Sequence, residues 1–166
     1  MTPLPPPLGT GELRFWRLDQ KPHAATWDSG EGAFLVGGRW NSKGVRAVYA
    51  SLDPATAILE VAVHKGFKAL DTAPHILTSA RIMDPAQVHV LDLEKDIPNP
   101  NWLVPGSHGP GQRSFGDALL HEHIFILIPS TVSRQSWNVI FDSTKAQGHF
   151  DTITQDPFAL DPRLHV

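Results

Sequence analysis

An arginine at position 39 stands between two glycines and a Trp–Asn pair, in the motif GGRWN. Glycines beside an arginine let the backbone approach a ligand closely while the guanidinium forks onto phosphate oxygens. The plainer alternative is a surface-loop arginine, and residue type leaves both open. Tyr49, the only tyrosine, lies in the small and apolar stretch RAVYAS. It either packs as core with its hydroxyl satisfied or offers a ring on which a flat ligand stacks. Glu60 sits between Leu59 and Val61, among Ala57, Ile58, Ala62 and Val63. An acid in such company belongs either to a narrow polar stripe with Thr56 and His64 or to a cleft, where its carboxylate stabilises positive charge. Ser130 follows the run IFILIP without a GxSxG context, so a nucleophile elbow is not indicated. Its hydroxyl closes a turn, hydrogen-bonds a ligand or orients another side chain.

Other candidates are weaker. His121 and His123 flank Glu122, and at strand spacing both would face one side. Two histidines fall short of a coordination shell, and there is no HExxH, so no metal site is expected. The run GSHGPGQRSFG matches neither a P-loop nor a dinucleotide fingerprint, and reads as a mobile loop over a site. The chain has no cysteine, which removes disulfides, thiolate catalysis and sulfur-ligated zinc. A net charge of −3 with no basic stripe gives no electrostatic footprint for direct nucleic-acid binding. No run approaches the roughly 18 apolar residues of a membrane helix, and the N-terminus lacks the pattern of a secretory signal. The expectation is a soluble, cytoplasmic protein.

These residues need elements to position them. The 15 prolines in 166 residues exclude long helices, and hence bundles and coiled coils. Four of them, at positions 3, 5, 6 and 7, mark residues 1–10 as an extended N-terminal arm. Leu13 to Leu18 reads as a first strand, residues 19–46 as loop-rich, and Ala47 to Ser51 as a short buried strand. Asp53 as N-cap, Pro54 at the first helical position and Gly66 as terminator bracket a helix that carries Glu60. Strands are expected over His75 to Ile82, Val88 to Leu91, Ile124 to Pro129, Ser136 to Phe141 and His149 to Thr154. Residues 98–112 read as loop, and Ser114 to Glu122 as a short helix. The pattern is α+β, richer in strand than in helix.

In combination, GGRWNSKG, AVYAS, ATAILEVAVH, IPSTVSRQSWNVIFD and the closing HFDTITQDPFALDPRL resemble the RES domain family, named for its Arg, Glu and Ser. The resemblance runs from about Arg14 to Leu164, so residues 11–166 read as a single RES domain after the arm. It implies an ADP-ribosyltransferase-like fold, a split and mostly antiparallel β core with short helices. By motif, the family arginine falls on Arg39, the tyrosine on Tyr49, the glutamate on Glu60 and the serine on Ser130. Arg17, in FWRL, matches a second arginine, and Asn138 matches the asparagine after the Pro–Ser strand.

The activity so implied is that of a toxin in a type II toxin–antitoxin module that degrades NAD. It cleaves the nicotinamide–ribose bond, with phosphate or water as acceptor, as an NAD phosphorylase or NAD glycohydrolase. NAD is then the substrate and inorganic phosphate the co-substrate, with no prosthetic group. Glu60 would stabilise positive charge on the ribose, Arg39 and Arg17 would hold the pyrophosphate, and Tyr49 would stack on nicotinamide. Ser130 would bond substrate or support Glu60. A phosphorylase also needs a second anion pocket near the anomeric carbon, and no motif locates one. Alternatives are a protein ADP-ribosyltransferase using NAD and a non-catalytic nucleotide- or partner-binding module. Expected partners are a cognate Xre-family antitoxin that blocks the cleft and a second copy of the chain, as a homodimer in a larger complex.

Overall fold

A computed structural model describes residues 12–106 and 108–164, and the proline-rich arm lies outside them. In chain order the elements are β1 (Leu13–Gln20), α1 (Glu31–Val36), β2 (Ala47–Ser51), α2 (Pro54–Lys65), α3 (Phe67–Thr72), β3 (His75–Ile82), β4 (Val88–Val90), α4 (Pro110–Glu122), β5 (Phe125–Pro129), β6 (Trp137–Asp142) and β7 (Phe150–Phe158). The local signals around Glu60 act as read. Asp53 is extended, and its Oδ1 accepts from the Thr56 amide at 2.8 Å, which satisfies one of the free donors of the first turn. Gly66, at φ 82°, ends α2 and turns the chain into α3.

The strands form one sheet in the order β4-β5-β6-β2-β1-β3-β7, antiparallel throughout except between β4 and β5. β1 runs with β3 along its whole length, from Leu13↔Ile82 to Gln20↔His75. β2 runs with β6 from Ala47↔Asp142 to Ser51↔Asn138. Between β1 and β2 the register holds one pair, Trp16↔Ser51. The sheet therefore splits there into two antiparallel halves. Arg17 spans the opening: its Nη1 donates to the Tyr49 carbonyl at 2.7 Å.

Strand alternation sorts the side chains to the two faces. Val48 and Ala50 of β2, Phe125 and Leu127 of β5, and Val139 and Phe141 of β6 join Phe15, Trp27 and Ala80 in the main core. Phe15 and Phe141 sit with ring centroids 5.4 Å apart, and each fully buried ring contributes about 1.5–3 kcal/mol. The intervening residues, Ala47, Ile126, Ile128 and Ile140, pack with Trp40, Leu91 and Leu120 beneath α4. Ser51 and Asn138 belong to that second face by the same alternation. Leu18, Ala62 and Leu70 pack α2 and α3 onto the β1 half. The site thus lies on the helical face, between two separately packed groups of helices.

Four local expectations change. α4 starts at Pro110 rather than Ser114, so the glycine-rich run is half helix. Tertiary packing overrides the poor helix propensity of its glycines. Gln112 is buried and donates to the Trp102 carbonyl at 3.2 Å. Gly116 lets α4 touch the 37–46 loop, since a Cβ there would lie 1.9 Å from the Trp40 carbonyl oxygen. The expected 98–112 loop also contains a 3-10 turn over Pro100–Leu103, capped by Asn99. Residues 19–46 hold a 3-10 turn at Lys21–Thr26 and the helix α1, which buries no residue and so leaves no periodic apolar signal. His121 and His123 do not share a strand face, because His121 is in the last turn of α4 and His123 caps it. His123 instead stacks on His89, with centroids 3.9 Å apart. Among the described residues no helix is long and apolar enough to cross a membrane.

Candidate active site

Glu60 lies one turn and a half into α2, half-buried, with its carboxylate directed at the ends of β5 and β6. Ser130 Oγ donates to Glu60 Oε1 at 2.7 Å, and Asn138 Nδ2 donates to the same oxygen at 2.6 Å. Ser130 is itself held, since its Oγ accepts from the Val132 and Ser133 amides at 3.2 and 2.9 Å. Asn138 is held from the far side by Ser51, whose Oγ donates to Asn138 Oδ1 at 2.8 Å. The directions are consistent along the chain: Ser51 fixes the amide orientation, so the asparagine presents its NH2 to Glu60. Both bonds fall on Oε1. Oε2 has no partner among the described residues, and it is not a buried atom. One carboxylate oxygen is thus anchored, and the other makes no hydrogen bond among the described residues. Thr56 does not share this role, because its hydroxyl is committed to Asp53 Oδ2 at 2.7 Å.

Tyr49 anchors the loop that carries Arg39. Its hydroxyl donates to Asn41 Oδ1 at 2.7 Å and accepts from the Trp40 amide at 3.0 Å. Asn41, fully buried, donates from Nδ2 to the carbonyls of Ala33, Ser42 and Val45. Gly38 is required beside this knot, since a Cβ there would approach the Tyr49 hydroxyl to 2.6 Å. Burial pushes the Tyr49 hydroxyl pKa well above the ordinary tyrosine value. Asp117 adds to the rise, while the Trp40 amide and the Arg113 and Arg39 charges oppose it.

Arg39 reaches away from the loop to the carbonyls of Trp102 (3.3 Å), Val104 (3.4 Å) and Gly106 (2.9 Å). Burial lowers its pKa, and the nearby Glu60 and Tyr49 charges offset part of that shift. It stays cationic at any physiological pH. Arg17 meets Asp19 through two bonds, Nε to Oδ2 at 3.0 Å and Nη2 to Oδ1 at 2.9 Å. Its third contact is the Tyr49 carbonyl described above. The six residues singled out in the sequence therefore form one connected neighbourhood. Glu60, Ser130 and Asn138 touch directly. Tyr49, Arg39 and Arg17 are linked through the β2 backbone, the GGRWN loop and the charge of Glu60.

Four further residues belong here and had no assigned role in the sequence. Ser51 and Asn41 are small polar residues made important by their partners. Arg113 donates from Nε to the Gly38 carbonyl at 3.2 Å and meets His108 Nε2 through Nη2 at 3.0 Å. The one signal available was position: Ser51 lies two residues beyond Tyr49 on a strand, hence on the same face.

A split, mostly antiparallel sheet with short helices defines this as an α+β protein. The chain belongs to the RES domain family, whose model matches residues 14–161. Among curated proteins it is similar to Toxin Res of Photorhabdus laumondii, 31% identical over 151 residues, covering 90% of this chain and 95% of the relative. It is 36% identical over 141 residues to the Prs ADP-ribosylating toxin of Sphingobium sp., covering 77% of this chain and 81% of the relative. Toxin Res of Pseudomonas putida is 30% identical over 140 residues, with 82% and 91% covered. Among solved structures, a chain of the M. tuberculosis MbcT-MbcA toxin–antitoxin complex has the same fold. Its TM-score is 0.72 at 20% identity, covering 89% of this chain and 85% of that one.

Proposed function

We propose that this protein is the toxin of a toxin–antitoxin module and that it acts by breaking the nicotinamide–ribose bond of NAD. The observation that carries this reading is the state of Glu60: Oε1 is fixed by two donors, and Oε2 is bonded to no described residue. Nicotinamide is already a cationic leaving group, so its departure needs no strong general acid. When the C–N bond breaks, its electron pair goes to the pyridine nitrogen and neutral nicotinamide leaves. Positive charge develops on the ribose, as in other glycosyl transfers. A carboxylate held in place before reaction stabilises that charge without reorganising. An oxygen of phosphate or water then bonds to the anomeric carbon, giving ADP-ribose 1-phosphate, or ADP-ribose once the added water has released a proton to solvent. Arg39, with Arg17, holds the pyrophosphate, and the Tyr49 ring stacks on nicotinamide while its hydroxyl keeps the Arg39 loop in place. Ser130 and Asn138 position Glu60.

The relatives named as toxins and the likeness to a chain of a toxin–antitoxin complex support the biological role. In this reading the protein works in the cytoplasm as a homodimer, restrained by an Xre-family antitoxin over the cleft. A second reading is ADP-ribose transfer to a protein, favoured by the 36% identity to a toxin named for ADP-ribosylation. Purified protein incubated with NAD, with and without phosphate, decides between them by mass spectrometry. ADP-ribose 1-phosphate or free ADP-ribose supports the first reading, and mass added to a protein supports the second. An unchanged NAD pool overturns the first.

A further inference from the structure

Three positively charged or protonatable groups converge where residues 102–106 and His108 meet α4. Arg113 Nη2 lies 3.0 Å from His108 Nε2, while its Nε donates to the Gly38 carbonyl at 3.2 Å, next to Arg39 in the chain. Arg39 reaches the same segment from the other side, through the carbonyls of Trp102, Val104 and Gly106. All the acceptors these arginines meet are neutral. Among the described residues neither Arg39 nor Arg113 forms an ion pair with a carboxylate. Asp117, one helical turn beyond Arg113, turns its Oδ1 to the Ser42 amide instead. Glu60 is the carboxylate within electrostatic reach of Arg39. His64, four residues beyond Glu60 on α2, is within electrostatic reach of His108. The amino end of α4 adds its partial positive charge at the same place.

Two guanidinium groups without a carboxylate partner, beside a histidine, are an incomplete arrangement. Like charges gathered at one spot repel unless an anion sits between them, and arginine's planar fork matches phosphate oxygens. We propose that Arg113 and His108, beside Arg39, form a subsite for a phosphate oxyanion. This inference rests on the NAD-cleaving reading for its meaning but not for its test. The phosphate group has two possible sources. Free orthophosphate, as acceptor, would be held beside the carbon from which nicotinamide leaves. The dinucleotide's own diphosphate would bring the same oxyanion chemistry to the same residues.

The discriminating measurement is binding of inorganic phosphate to the intact protein without NAD, by calorimetry, for wild type, Arg113→Gln and His108→Gln. Thermal melts establish that each variant is folded, and Arg113→Lys replaces Arg113→Gln if the latter does not fold. The expected result is that wild type binds phosphate and that Arg113→Gln loses at least 10-fold in affinity, His108→Gln less. Unchanged KM for NAD in those variants assigns the subsite to orthophosphate. If phosphate alone does not bind but KM for NAD rises at least 10-fold in Arg113→Gln, the subsite holds the dinucleotide's diphosphate. Folded variants with unchanged phosphate affinity and unchanged KM overturn the proposal. Absence of NAD turnover in wild type removes the NAD reading alone, since the phosphate titration still decides the subsite.

Discussion

Glu60 is served by two donors on one oxygen, and one of those donors is oriented by Ser51. This arrangement separates charge from position, so variants can test each. Glu60→Gln keeps the shape and removes the charge; NAD consumption should fall about 10²–10³-fold while the thermal midpoint stays close to wild type. Ser51→Ala removes one hydrogen bond, a net of about 1 kcal/mol. Its kcat should fall several-fold with KM for NAD unchanged, and the loss should vanish in a Glu60→Gln background, because both act through one carboxylate. A purely structural role would persist in that background. Tyr49, the single tyrosine, reports on itself by tyrosinate absorbance. Its pKa is raised in the folded state, chiefly by burial. The sign follows: the folded protein keeps this proton longer than the unfolded chain. The associated stability is complete below the unfolded value, about 10, and is lost as pH rises beyond it. Tyrosinate should appear above that value, together with unfolding, and a normal titration in the folded state would count against the buried hydroxyl.

Elements place these side chains by two different routes. α2 is a local product: Asp53, Pro54 and Gly66 set its ends, so the helix carrying Glu60 could be read directly. α4 is a tertiary product. Its first turn contains a proline and a glycine, Gly116 lies mid-helix, and it holds because Gln112, Phe115 and Leu120 pack on Trp40, Trp102 and the sheet. Gly116→Ala would push a methyl into the Trp40 carbonyl, where the rigid backbone cannot yield. Such overpacking costs about 1–3 kcal/mol. The substitution should lower the urea midpoint and also weaken NAD use, since Trp40 adjoins Arg39. An unaltered midpoint would show that α4 moves freely against the loop.

At the level of the whole molecule the decisive feature is the split between β1 and β2. Where the ladder ends at Trp16↔Ser51, Arg17 bridges the halves and pairs with Asp19, which is 8% exposed. Arg17→Ala would leave that acid without its partner; with the Arg17 side chain 29% exposed, the cost should stay below the about 3–5 kcal/mol of a fully buried pair. Urea unfolding should show a large loss, partly restored by adding Asp19→Asn. If stability is unchanged and only KM for NAD rises, Arg17 acts on substrate and not on the junction.

Local chemistry along the chain determined much of this protein. It set the α+β class, the helix bearing Glu60, most strands, and Arg39, Tyr49, Glu60 and Ser130 as residues worth following. Those readings depend on neighbours a few positions away, through capping, alternation and glycine punctuation. Only the tertiary structure decided which candidates meet. Ser130 and Glu60 are 70 residues apart, and Asn138 and Glu60 are 78 apart. Their hydrogen bonds exist because β2 and β6 pair in one register and α2 packs across the split. Ser51 carried only its position on the Tyr49 face and Arg113 no local signal, since a serine on a strand and an arginine on a helix are ordinary until their partners are known. Hydrogen-bond direction and charge imbalance are properties of the assembled neighbourhood, and the folded chain alone brings them into being.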